Sequence, residues 1–462
     1  MVTVDLDAML ARAAALEARG ELDAAVCAYL DVLVRDRFHR EAMLAVGALF
    51  AAKHTPELAR AVFAEAAERH PGCVAAHVGL GNALLELDDR AGARRAFANA
   101  VAADPEDRDA YMHLGLVLER DGERDAAAAA WRRAYADGAL PPLPFRGTGE
   151  PVRLMAVCSA LGGNAPLDRV IDPRVFQRTT LFAEGYRDAL ELPRGALLLN
   201  AIADADLAPR ALDVMERIEA ASGTIALNRP AHVRATARVA NAKRMAAIDG
   251  VVAPRVASFA RDLLASPAGR DAVEAAGFAW PLLLRSAGFH NGKHFVRVDE
   301  PGGLAAAAAA LPGDELLAIA FADVRGEDGM VRKYRVLTIG GELYPLHLAL
   351  SHDWKVHYVT AAMDERQAYR DEERAFLTDM TGALGAGAVA TLQRVADVLA
   401  LDYAGMDFAL DRDGRIVLFE ANAAMVIAPP KSDAQWEYRR APARRAVDAT
   451  QALLRSRAAA LG

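Results

Sequence analysis

Cysteine is scarce. Cys27, Cys73 and Cys158 are the only three in 462 residues. They are far apart and odd in number, which argues against a disulfide framework and against a zinc site. No apolar run reaches the roughly 18 residues that a membrane-spanning helix needs. The opening "MVTVDLDAML" is acidic and has no signal-peptide core, so a cytoplasmic protein without a membrane span is expected. A surplus of positive charge is missing too. The net charge of -8 gives no basis for a nucleic-acid surface. What remains is an ordinary soluble composition, 53% hydrophobic and 25% charged, with length for roughly two to four domains.

The first third repeats itself at a shift of 34 residues. Leu80 and Gly81 recur as Leu114 and Gly115, with Val46 and Gly47 one shift earlier. Ala93 recurs as Ala127, Ala59 and Ala25. Phe97 recurs as Trp131, Phe63 and Tyr29. Small residues let two helices approach, and the aromatic fills the gap between repeats. Each unit is a helix pair that buries its apolar face only by stacking. The spacing resembles four tetratricopeptide repeats over residues 1–140, the first the least regular. Such arrays present a concave face to a peptide or protein. A spacer or a dimerisation surface is the other reading of that face.

The stretch 141–151, inside "GALPPLPFRGTGEP", reads as a linker. Beyond it the grammar changes. "VRLMAV", "ALLLN" and "GTIALN" read as strands alternating with helical stretches such as "LAPRALDVMERIEAA". That pattern predicts a small parallel α/β unit over 152–230. "GGN" after the first strand would cradle a phosphate or make a tight βα turn. Asn200, Asp204 and Asp206 stand at strand ends, where open α/β sheets bind ligands, and are expected on the substrate side.

After Pro230 a cationic helix precedes "AWPLLLRSAGFHNGKHFVRVD", a strand ending in Arg285, a loop with Gly288, His290, Asn291 and Gly292, and a further strand. A guanidinium at a strand end and a Gly-rich loop suit phosphate, because the fork is bidentate and glycine lets backbone N–H groups come close. A hairpin with an incidental Arg is the alternative. Two strands joined by "RGEDGM" follow, the second carrying Lys333 and Arg335 on one face. "LYPLHLALSHDWKVHY" brings His347, His352, Trp354, Lys355 and His357. Their spacing is not that of a helical zinc pair, and contact with an anionic ligand is the better reading.

"MDFALDRDGRIVLFEAN" reads as a hairpin. Period two puts Glu420 and Asn422 on one face, and the turn brings Asp407 across from them. Two carboxylates and an amide oxygen among apolar neighbours suit Mg²⁺, which also takes substrate phosphates.

The strand-end cation, the Gly-rich loop, the carboxylate strand and the E-x-N ending resemble the ATP-grasp superfamily over about residues 152–430. The thirteen-residue step from Asp407 to Glu420 and "FEAN" resemble the D-alanine–D-alanine ligases. "DYAGMDF" looks more like the glutathione synthetases and ribosomal-protein glutamate ligases. The implied architecture is multidomain: an all-α tetratricopeptide-repeat solenoid, an α/β pre-ATP-grasp unit (152–230), an α+β ATP-grasp fold (231–430) and a helical tail (431–462). In that tail Arg439, Arg440, Arg444 and Arg445 are expected on a solvated face.

The resemblance also implies roles. Asp407, Glu420 and Asn422 match magnesium ligands. Arg285 stands where the family usually has Lys, Gly288, His290, Asn291 and Gly292 match the mobile loop, and Arg238, with Lys243 its rival, falls near the other phosphate-binding cation. Arg335 would steady phosphate or acyl phosphate, and Lys333 joins the cofactor-binding set. The adenine would lie against the hinge at Ile319, Phe321 and Asp323, although Ala320 stands where the family's hinge acid is expected. Lys355, His352 and His347 would grip the carboxylate substrate or the acyl phosphate.

The implied chemistry is ATP-dependent carboxylate–amine ligation through an acyl phosphate, using ATP and Mg²⁺, on a peptide or protein recruited by the repeats. The alternatives are a small-molecule ligase whose repeats serve homodimerisation or partner docking, and a non-catalytic ATP-binding scaffold.

Overall fold

The computed structural model describes residues 5–135, 142–166, 169–187, 195–286, 292–356, 361, 363–428, 430 and 433–461. The chain divides into two units, Met1–Gly138 and Ala139–Gly462. None of the described helices is long and apolar enough to cross a membrane.

The first unit is built of helix pairs: α1 (Leu6–Ala18) with α2 (Leu22–Arg35), α3 (Arg40–Ala52) with α4 (Pro56–Arg69), α5 (Val74–Glu86) with α6 (Arg90–Ala103), and α7 (Arg108–Arg120) with α8 (Arg124–Ala134). Successive pairs start at Leu6, Arg40, Val74 and Arg108, each 34 residues after the last, so the sequence period is the helix-pair period. Asp5, Asp89 and Asp107 cap their helices by accepting from the N–H three residues on. Pro56 opens α4, where a missing N–H costs nothing.

The glycine–aromatic pattern is a packing contact. A Cβ at Gly47 would lie 2.8 Å from the Phe63 ring, one at Gly81 2.4 Å from Phe97, and one at Gly115 2.5 Å from Trp131 Nε1. Each aromatic rests on a stripe of bare backbone. In the first pair Ala13 holds the glycine's place and Tyr29 the aromatic's, both buried in one cluster.

Among the described residues the second unit has three sheets. The first is parallel, in the order β2-β1-β3, from β1 (Val152–Cys158), β2 (Phe176–Phe182) and β3 (Leu197–Asn200). The strand expected in "GTIALN" is reduced to a single bridge, Leu199 to Leu227. The third strand is β2 instead. Its "QRTT" centre carries no apolar run, because β2 is a half-exposed edge strand. The preceding segment is pinned to that edge: the Leu143 N–H donates to the Arg178 carbonyl at 2.8 Å, and the Arg146 N–H to that of Pro173 at 2.9 Å.

Next come α9 (Pro209–Ser222), α10 (Pro230–Arg234), α11 (Arg238–Met245), β4 (Val251–Val252), β5 (Val256–Ala260), α12 (Arg261–Leu264), α13 (Gly269–Ala275), β6 (Leu282–Ser286), β7 (Phe295–Val298), α14 (Leu304–Ala309) and β8 (Glu315–Ala320). The second sheet is antiparallel, in the order β5-β8-β6-β7, and encloses its own core with Leu264, Val273, Leu304 and Ala308 from the short helices.

The third sheet follows from β9 (Val331–Ile339), β10 (Glu342–Ser351), α15 (Gln367–Thr378), α16 (Met380–Leu384), α17 (Ala386–Leu399), β11 (Tyr403–Leu410) and β12 (Ile416–Asn422), in the order β10-β9-β11-β12-β4. The strands on either side of "RGEDGM" therefore belong to different sheets. On β9 the even positions Tyr334 and Val336 join the core with Phe376, Leu392 and Val395 from the helices. The odd positions divide: Leu337 and Ile339 pack with the parallel sheet, while Lys333 and Arg335 carry charge on the same face.

The C-terminal helix α18 (Arg440–Ala459) is part of that packing. Ala443, Ala446 and Leu454 share one core with Leu154 and Leu197 of the parallel sheet and Leu337 and Ile339 of β9. Arg440, Arg444 and Arg445 are exposed as expected, but Arg439 is buried. Its Nε donates to Glu373 Oε2 at 2.9 Å, and its guanidinium lies 4.4 Å over the Trp436 ring. Glu373 also accepts from the Leu348 N–H at 3.1 Å, so one carboxylate ties α15, β10 and the turn before α18. The flanking Trp436 and Tyr438 are the signal that this Arg belongs to a packed turn.

Gly81→Leu is expected to destabilise the repeats by about 1–3 kcal/mol through overpacking against Phe97. Gly72→Ala, where an added Cβ has nothing within 4 Å, should leave the midpoint of a circular-dichroism melt in place. Glu373→Ala strands a buried guanidinium and is expected to cost about 3–5 kcal/mol in urea unfolding.

Candidate functional site

One transverse row of side chains crosses four strands of the five-stranded sheet. His347 on β10 pairs in register with Arg335 on β9, Arg335 with Asp407 on β11, and Asp407 with Glu420 on β12. Paired residues share a face, so these four groups line up on one side of the sheet.

Two β-bulges make the row. Leu346 is the extra residue between Pro345 and His347. Phe419 is the extra residue between Leu418 and Glu420. Without the second bulge Glu420 would face the side of Met406 rather than that of Asp407. Pro345, which has no N–H to give, sits on the edge strand where such an interruption is tolerated.

Asp407 is 1% exposed. Arg335 grips it with Nε at 2.6 Å from Oδ1 and Nη2 at 2.8 Å from Oδ2, and Lys333 Nζ lies 2.7 Å from Oδ2. Burial alone would raise this carboxyl; Lys333 and Arg335 outweigh it and hold the group far below its ordinary value. Burial and the Arg335 charge push the His347 imidazole well below its usual range, so it is neutral at neutral pH.

A second charge cluster adjoins the row. Arg238, at the start of α11, donates to Glu420 Oε1 at 3.2 Å and to Asp206 Oδ2 at 3.2 Å, and its backbone N–H donates to Asp206 at 3.0 Å. Asp204 lies 3.9 Å from the same guanidinium. Arg285 on β6 is close enough to feel all of them. Burial and Arg238 lower its pKa, while Glu420, Asp204 and Asp206 oppose. Glu420 from the five-stranded sheet, Arg285 from the four-stranded sheet, and Asp204 and Asp206 from the stretch after β3 therefore gather around Arg238.

One sequence expectation changes here, and one of two readings is selected. Asn200 is taken up by backbone, donating to the Asn228 carbonyl at 3.0 Å and accepting from the Ile202 N–H at 3.1 Å. The "GGN" stretch is a tight turn. Gly162 and Gly163 have φ of 91° and 68°, and the Gly163 carbonyl accepts from the Ala203 and Asp204 N–H groups.

The other expected residues lie towards the four-stranded sheet. Lys355 Nζ donates to the Phe295 carbonyl at 3.1 Å, and a Cβ at Gly292 would be 2.8 Å from Lys355 Cε. Trp354 packs edge-on against Phe295 at 5.5 Å and Phe321 at 6.3 Å. Phe321 also lies under the Arg297 guanidinium at 4.5 Å. Ile319 is a ladder residue of β8, paired with Val256 and Leu283, and Asp323 is ion-paired with Arg325. His352 is exposed. Gly288, His290, Asn291 and His357 lie outside the described residues. The only sequence signal for this aromatic contact is a tryptophan in the polar stretch "SHDWKV".

The three oxygen-bearing residues fit a hard cation unequally. Glu420 Oε1 accepts from Arg238 and from Asn422 Nδ2, while Oε2 has no partner among the described residues. Asn422 Oδ1 accepts from the Ala424 N–H at 2.9 Å and keeps a lone pair. Both are partly exposed, and both fit. Asp407 does not, because both of its oxygens are held by protein cations. Among the described residues no group of three or more His, Cys, Asp and Glu is arranged to hold a metal ion.

Comparison with known proteins bears on the first unit. Residues 47–89 and 78–144 match the tetratricopeptide-repeat family model. Among solved structures, the crystal structure of MamA is 27% identical and covers 27% of this chain and 72% of its own, with a TM-score of 0.26. MamA 41-end from Desulfovibrio magneticus RS-1 is 25% identical, covers 28% and 73%, and has a TM-score of 0.26. TTC0263, a thermophilic TPR protein from Thermus thermophilus, is 21% identical, covers 29% and 74%, and has a TM-score of 0.26. No curated protein matches the chain. The N-terminal region consists of tetratricopeptide repeats, followed by a mixed α/β region.

Asp407→Asn should destabilise the protein by about 3–5 kcal/mol at neutral pH, since it leaves two cations without their counter-charge. The folded carboxyl lies below its ordinary 3.8, so its contribution is complete above that value and is lost as pH falls. The stability gap between wild type and variant, read from urea midpoints, should narrow by about 1–2 kcal/mol between pH 4 and pH 2.

Proposed function

We propose that the second unit is an ATP-dependent carboxylate–amine ligase of the ATP-grasp type, and that the repeats recruit a peptide or protein substrate. The observation that carries this reading is the convergence of Glu420, Asn422, Arg238 and Arg285 beside the Arg335–Asp407 row. It puts oxygen donors for a cation next to guanidinium groups for phosphate. Tetratricopeptide repeats commonly dock protein partners, which suits a macromolecular substrate.

In this reading a substrate carboxylate oxygen attacks the γ-phosphorus of ATP and ADP leaves. An amine nitrogen then attacks the acyl carbon and gives up a proton, phosphate leaves with its bridging oxygen and can carry that proton away, and the amide forms. The protein supplies position and charge rather than covalent chemistry. Arg238 and Arg285 hold phosphate oxygens. Arg335, fixed in direction by Asp407, presents its remaining N–H groups to the transferring phosphoryl. Lys333 shares that carboxylate and stands next to it. His347, being neutral, serves as a hydrogen-bonding group and not as a charge. Lys355 and His352 reach the substrate carboxylate from the segment after β10, and the adenine lies near Ile319, Phe321 and Asp323. Glu420 and Asn422 would hold Mg²⁺, which when bound neutralises charge on the phosphates.

The cations on Asp407 favour a second reading, a non-catalytic ATP-binding scaffold. Phosphate release assayed with pools of peptides and of free amino acids separates the two. Release with peptides supports the ligase acting on a recruited chain. Release with amino acids moves the substrate to a small molecule, and no release supports the scaffold. In the ligase, Glu420→Ala should lower turnover by at least about tenfold; a loss below about threefold would sink the assignment.

A further inference from the structure

We propose that Arg238 is shared between two counter-charges in turn. It is held by Glu420 in the protein without ligands and passes to polyphosphate when a divalent cation takes its place at Glu420, so that nucleotide and cation bind cooperatively. This rests on the nucleotide-site reading above.

Arg238 has Glu420 on one arm and Asp206 on the other, each at 3.2 Å, with Asp204 at 3.9 Å. Its side chain is only 15% exposed. A polyphosphate reaching Arg238 in this state meets three carboxylates of its own sign. To take the arm that Glu420 holds, it must also leave Glu420 half-buried beside a phosphate with no counter-charge. Both effects oppose binding.

A cation on the open oxygen of Glu420, with Asn422 as a second oxygen donor, removes both. It neutralises the displaced carboxylate and releases the guanidinium. Asn422 Nδ2 already donates to Glu420 Oε1 at 2.9 Å, so the carboxylate keeps its direction through the exchange. Arg335 and Lys333 do not take part. Their partner Asp407 is gripped through both oxygens and closed to solvent, and that pair stays intact. Exchange is therefore confined to the Arg238–Glu420 bond, which is single and reaches a partly exposed carboxylate. By linkage, the cation must favour nucleotide by the same factor that nucleotide favours the cation.

The test is calorimetric binding of a non-hydrolysable ATP analogue to the full chain, in excess MgCl2 and in EDTA. Wild type should gain at least about tenfold in affinity with Mg²⁺. Glu420→Gln should raise the metal-free affinity several-fold and abolish most of the Mg²⁺ gain. That metal-free rise should vanish in the Arg238→Ala background, because there is no longer an arm to release. A rise of the same size with Arg238 absent would mean that Glu420 merely repels phosphate, and it overturns the exchange. Asp206→Asn provides an independent variant outside the cation ligands: it should raise the metal-free affinity and keep the Mg²⁺ gain, and loss of that gain counts against the proposal. Equal wild-type affinities with and without Mg²⁺ overturn the exchange alone. No binding under any condition overturns the nucleotide site itself. Thermal melts of each variant identify any loss that comes from unfolding.

Discussion

A carboxylate closed off from water keeps its charge only if cations stand beside it, and in this protein the five-stranded sheet is organised around that demand. Asp407 sits on the central strand with Arg335 directly across and Lys333 two residues along. The pairing of β9 with β11 cannot slip by one residue without sending the two cations to the apolar face, where Tyr334 and Phe408 stack at 5.4 Å. The ion triad is thus a register lock as well as a site element. The bulges at Leu346 and Phe419 then shift the outer strands until His347 and Glu420 join the same row.

The architecture places this row where three sheets meet. The apolar half of its face packs on the parallel sheet and α18, and the charged half looks towards Arg238 and Arg285. One face of one strand therefore serves as core at Leu337 and Ile339 and as polar site at Lys333 and Arg335. The change occurs within a single period-two step.

Parts of this were legible in the residue order and parts were not. The repeats were, because helix spacing and the glycine–aromatic contact both follow a fixed period. The carboxylate hairpin was legible as far as its face, since the interrupting Asp407, Glu420 and Asn422 stand out from apolar neighbours. Its register was not: a bulge at Phe419 leaves no mark in a run such as "IVLFEAN". The bond from Arg238 to Asp206 joins residues 32 apart, and the bond to Glu420 joins residues 182 apart; no local pattern links them. Strand β2 leaves no apolar mark in the sequence, because an edge strand need not be apolar. The run of arginines hides Arg439, the one that turns inward.

The short pairing of Leu143 and Arg146 with the rim of the parallel sheet has a bearing on how the α/β unit behaves alone. Strand β2 is the outermost member, and a bare rim of N–H and C=O groups is an invitation to neighbouring chains. The stretch that leads out of the repeats shields part of it. Cutting the chain just before Val152 would remove Leu143 and Arg146 and uncover that rim, and the liberated fragment would self-associate.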